Sequence, residues 1–111
     1  MDDNGLKRDI LTASAEDHVG LWEVIRMVER HAPEWEVARV REYTLSLLHD
    51  LLSAGQIEAG MPAMNGREFE AWKLPAASIV ARIRDEWKAD KRPTIGEVAW
   101  FTTPAHVRRT A

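Results

Sequence analysis

The chain has 111 residues and no cysteine. That length fits one domain, and the missing cysteine excludes a disulfide scaffold, a thiolate metal site and a cysteine nucleophile. A 45% hydrophobic share beside 30% charged residues is globular composition, and a net charge of -3 gives no general attraction to phosphate or anionic lipid. No apolar run approaches the ~18 residues of a membrane span. The acidic start Met1-Asp2-Asp3-Asn4-Gly5 is unlike a secretory leader, so a soluble, cytoplasmic domain is expected.

Charge is uneven along the chain: -5 from Met1 to Glu36, -1 from Val37 to Leu74, and +3 from Pro75 to Ala111. Residues up to about Ala13 read as a polar, loosely held lead, with Ile10 and Leu11 able to pack down. Ser14-Ala15-Glu16-Asp17 has the form of a capping box, with Asp17 a second candidate cap. The helix predicted after it puts Leu21, Val24, Ile25, Val28 and Ala32 on one stripe, with Glu23, Arg26, Glu29 and Arg30 opposite. Pro33 closes it.

A second helix is predicted from about Glu34 to Ala54, its core stripe made by Val37, Val40, Thr44, Leu47, Leu48 and Leu51, widened by Leu45 and Leu52. The periodicity runs straight through Arg39 to Arg41, where a bend would make two helices of one. Gly55 is the expected stop. Gln56 to Gly60 alternates as a short strand, Asn65-Gly66 is a hairpin turn signal, and Arg67 to Trp72 alternates again, with Pro62 limiting the pairing. Pro75 opens a third helix running to about Asp90, with Ala76, Ile79, Val80, Ile83 and Trp87 inward. Thr94 to Thr103 reads as a last strand with Val98, Trp100 and Thr102 on one face, and residues 105–111 as a loose tail. The expectation is an α+β fold with a sheet of about three strands.

Thr44-Leu45-Ser46-Leu47-Leu48-His49-Asp50-Leu51-Leu52-Ser53-Ala54-Gly55-Gln56-Ile57 resembles the recognition helix and first wing strand of the winged helix-turn-helix superfamily. In that superfamily a leucine-rich helix ends at glycine, one polar residue follows, and isoleucine starts the wing. The rest of the chain is similar to a set of small uncharacterised bacterial winged-helix-like proteins with a helix inserted in the wing. They share the tryptophan after that helix and a closing strand like Val98 to Pro104. The resemblance implies the scaffold and carries no assigned activity. Two features depart from it: no tight turn is visible before Arg41, and a helix stands between hairpin and last strand.

For a helix that reads DNA, the candidate contacts are Arg39, Arg41, Tyr43 and Ser46, with Arg67 on the wing. Glu42 and Asp50 oppose the arginines, and Glu68 and Glu70 oppose Arg67 and Lys73, so neither element has the cationic excess that phosphate contact needs. The best basic stripe is Arg84, Lys88 and Lys91, followed by Arg92, on the third helix. Five tryptophans are many for this length. Trp22 and Trp35 are the two expected to show an edge as interface anchors, while Trp72, Trp87 and Trp100 are expected in the core. His18, His31, His49 and His106 share no metal-ligand spacing, and no phosphate loop or nucleophile elbow is present, so no cofactor, metal or catalysis is expected. The leading expectation is a protein-binding module of the regulatory or toxin-neutralising adaptor type. The alternative is a dimeric DNA-binding regulator.

Overall fold

A computed structural model describes residues 3–16, 18–62, 69–87 and 99–103. Within them lie helices α1 (Asp3–Glu16), α2 (Leu21–His31), α3 (Val37–Ser53) and α4 (Ala76–Glu86), and strands β1 (Val19–Gly20), β2 (Glu58–Pro62), β3 (Phe69–Ala71) and β4 (Trp100–Thr102). The fold is α+β. The strands form one antiparallel sheet in the order β1-β4-β2-β3, with β4 in the interior although it comes last.

From Asp3 onward the lead is not loose but helical. Leu6 and Ile10, one helical turn apart, are fully buried in the common core, and Ser14 continues their stripe inward. Two large apolar residues make too thin a stripe to announce a helix, and it is tertiary packing that holds this one. Ser14 therefore does not cap the next helix; its carbonyl accepts a hydrogen bond from the Thr102 hydroxyl at 3.3 Å. Asp17 lies outside the described residues. The start of α2 is set by strand pairing instead: Gly20 is its N-cap without a side-chain bond, and the Leu21 N–H donates to the Ala99 carbonyl at 3.0 Å. The two-residue β1 is too short for alternation to mark, and it makes the sheet four-stranded where the sequence suggests about three strands.

Helix α2 buries Leu21, Val24, Ile25 and Val28 as its stripe predicts. Helix α3 is continuous from Val37 to Ser53 and buries Val40, Thr44, Leu45, Leu47, Leu48 and Leu51. Val37 departs from the predicted stripe: at 58% exposure it stands in the first turn, beyond the reach of the packed helices. The helix closes on a Schellman motif, with Gly55 at φ 72, its N–H donating to the Leu52 carbonyl and the Gln56 N–H to the Leu51 carbonyl. The chain then enters β2 through the buried Ile57.

Strand β2 starts at Glu58, two residues later than the alternation suggests, and pairs with β3 through Gly60↔Ala71, Met61↔Glu70 and Pro62↔Phe69. The Asn65-Gly66 turn and the approach to β4 through Val98 lie outside the described residues, as do residues 104–111. Helix α4 begins after Pro75 and turns Ile79 and Ile83 inward, with Trp87 buried at its end. It ends at Glu86, where Trp87 takes an extended conformation and its N–H still donates to Ile83. Of the three tryptophans expected in the core only Trp87 is fully there. Trp72 and Trp100 are half-buried, because Phe101 takes the inward position on β4 and Trp72 follows the edge strand β3.

The hydroxyl of Thr44 is buried with no hydrogen-bond partner among the described residues. Thr44→Val exchanges that hydroxyl for a methyl of similar size and is expected to raise stability by about 1 kcal/mol, read as a higher urea midpoint. A loss of the same size would mean that the hydroxyl is bonded.

Candidate functional site

Helix α4 lies along α3, and one arginine ties them. Arg41 Nε–H donates to the Trp87 carbonyl at 3.2 Å and a terminal N–H to the Arg84 carbonyl at 3.0 Å. These are carbonyls at the end of α4, where a helix leaves them without intrahelical partners, so a residue of α3 caps the end of α4. Arg41 also reaches its neighbour Glu42 at 2.8 Å, sits 6.0 Å from the centroid of the Trp87 ring, and is only 13% exposed. Glu42 in turn holds Arg84 at 2.9 Å. The candidate base reader Arg41 and the candidate partner contact Arg84 are thus both engaged in the joint between two helices of the same chain.

The rest of α3's outer face has little positive charge. Glu42, Ser46, His49, Asp50 and Ser53 are exposed, Asp50 faces Lys7 at 3.8 Å, and the Ser53 hydroxyl is 3.5 Å from His49 Nδ1. Arg39 is exposed, and its guanidinium stacks 4.1 Å from the Trp35 ring centroid. Trp35 meets Tyr43 edge-on, with centroids 5.1 Å apart at 70°. Trp35 and Tyr43 are half-buried against the core, so this corner presents two ring edges, one arginine and the exposed Val37. The turn that places them, between α2 and α3, is held by the Trp35 N–H donating to the Ala32 carbonyl at 3.1 Å.

Trp22 occupies the other end of α2 and is also half-buried, with Arg26 5.8 Å from its ring centroid. Its indole nitrogen would lie 2.7 Å from a Cβ on Gly20, so the glycine makes room for the ring. Trp22 and Trp35 therefore both keep an exposed edge, but α2 separates them and they form no common patch. On α4, Arg82 stacks on Trp72 at 4.0 Å and approaches Glu86 at 3.9 Å. The remaining candidates Lys88, Lys91, Arg92 and Arg67 lie outside the described residues.

One concavity leaves no trace in the sequence pattern. A groove of about 490 Å³ runs between the end of α3, the β2–β3 pair and the start of α4, with Leu52, Ile57, Phe69, Leu74 and Ile79 among its walls. Among the described residues Glu58 and Lys73 are its ionisable lining residues. Its described lining residues all fall between Leu52 and Ile79, and the folding of a helix end, two strands and a helix start onto one another brings them together. Among the described residues no three histidine, aspartate or glutamate side chains converge as metal ligands, and no helix is long and apolar enough to cross a membrane. Comparison with known protein families, curated proteins and solved structures finds no match to this chain.

Proposed function

We propose that the protein is a non-catalytic protein-binding module on a winged-helix-like scaffold, of the regulatory or toxin-neutralising adaptor type. The scaffold reading is supported by the turn between α2 and α3, by the closure of α3 at Gly55, and by the passage through Gln56 and Ile57 into β2. The observation that carries the binding reading is the use made of Arg41. The side chain best placed for base edges is spent on the end of α4, and what remains on α3 is an aromatic and arginine corner beside two carboxylates. Tryptophan, tyrosine and arginine are the residues in which interface hot spots are richest.

Affinity purification of the tagged chain from its own cells, after crosslinking, tests this. A protein partner should be recovered, and Val37→Arg with Arg39→Glu should reduce its recovery about tenfold, the cost of losing roughly 1.4 kcal/mol at an interface. Both residues are exposed, so the circular dichroism spectrum should not change. Recovery unaffected by the pair, or recovery of nucleic acid in place of protein, would contradict the reading. The dimeric DNA-binding regulator is the second reading, favoured by the helix–turn–helix order of α2 and α3.

A further inference from the structure

We infer that the outer face of α2 is a docking strip for an acidic segment of a partner protein, one that sets carboxylates on Arg26 and Arg30 and an apolar side chain over Met27. The inference rests on the protein-binding reading and assigns it a second surface, remote from the Trp35 corner.

Two hollows run along this helix. One, of about 250 Å³, is lined by Trp22, Glu23, Arg26, Met27 and Arg30; the other, of about 470 Å³, by Asp9, Met27, Arg30 and His31. They share Met27 and Arg30 as walls, so they adjoin along the helix at a half-buried methionine. Methionine is unbranched and polarizable, a side chain that adapts to varied apolar groups.

The charge on the strip is what selects the occupant. Arg26 and Arg30 are one helical turn apart, both exposed, and neither has an ion-pair partner among the described residues. Arg8 and Arg39 also have no ion-pair partner among the described residues, whereas Arg41 and Arg84 are matched by Glu42 and Arg82 by Glu86. Of the unpaired arginines, Arg26 and Arg30 are the two that stand a turn apart on one helix and line the same hollow. Of the acids around the hollows, Asp9 is 3.4 Å from His31 and Glu23 stands at the Trp22 end. The two guanidinium groups therefore offer forked donors at a spacing that suits carboxylates one turn apart on a partner helix. A nucleic acid would need a longer cationic track than two arginines to hold its run of phosphates.

The test is fluorescence anisotropy on the whole chain with a fluorescein-labelled dodecapeptide of glutamates carrying two leucines one helical turn apart. A glutamine counterpart of that peptide and an oligothymidine strand serve as comparators. The expected result is a Kd of about 0.1–1 mM for the glutamate peptide at low salt, with binding at least about tenfold weaker for the glutamine peptide. Arg26→Glu with Arg30→Glu should abolish binding of the glutamate peptide and create binding of a lysine–leucine peptide. The substitutions fall on exposed positions, where folding is little affected. No binding of the glutamate peptide, binding that survives the double substitution, or tighter binding of oligothymidine would each overturn the inference. Partner recovery that still depends on Val37 and Arg39 would show in that case that the protein-binding reading stands without the α2 strip.

Discussion

Gly60→Ala is expected to destabilise the protein by about 3 kcal/mol, a large share of the roughly 5–15 kcal/mol typical of a domain. Gly60 is paired on both sides, with Ala71 of β3 and Trp100 of β4. A Cβ there would press on the carbonyl oxygen of Glu70 and stand 2.9 Å from the Cα of Ala71. Those are backbone atoms of the neighbouring strand and cannot rotate aside as a side chain would. Relief requires β3 to move off β2, which gives up the Trp72 N–H bond to the Ala59 carbonyl at 2.9 Å. Gly55→Ala supplies the contrast. Gly55 has a positive φ, but nothing lies within 4 Å of where an added methyl would stand, so the cost there is conformational, about 1 kcal/mol. Urea titrations of the two variants should separate them clearly. A Gly60→Ala midpoint equal to that of the parent would mean that β3 does not pack this closely.

Arg41→Ala should cost about 2 kcal/mol, from two charged hydrogen bonds in a site largely shielded from water. Lysine at this position should recover less than half of the loss, since an ammonium cannot span two carbonyls as the guanidinium fork does. The last turn of α4 should fray first, seen as faster amide exchange at Trp87, whose N–H donates to the Ile83 carbonyl there. An Arg41→Ala variant as stable as the parent would release this arginine for base contacts and weaken the protein-binding reading.

Much of the fold is legible where one helix face carries several large apolar residues. The stripes of α2 and α3 and the inner face of α4 follow from spacing alone, and Gly55 follows from its freedom at positive φ. What spacing does not carry depends on partners distant in sequence. Leu6 and Ile10 are buried because the other elements close over them, and β1 exists because β4 lies beside it. The surface is less legible for the same reason. Arg41 and Arg84 look like free cations in the sequence, and only the packing of α4 on α3 joins them to carbonyls and to Glu42. Arg26 and Arg30 look like an ordinary solvated face, and their lack of carboxylate partners among the described residues becomes visible only in three dimensions. Trp22 stands just off the apolar stripe of the first predicted helix and Trp35 in the opening turn of the second, and both are half-buried.

The most direct test of the central claim, that α3 and its surroundings are built to meet protein and not DNA, is anisotropy of a labelled mixed-sequence duplex titrated with the protein at low and then moderate salt. No binding is expected at micromolar protein even in low salt, because Arg41 is engaged and the exposed face of α3 carries Glu42 and Asp50 beside Arg39. Micromolar binding that weakens steeply as salt rises would contradict the claim, since that slope counts phosphate contacts.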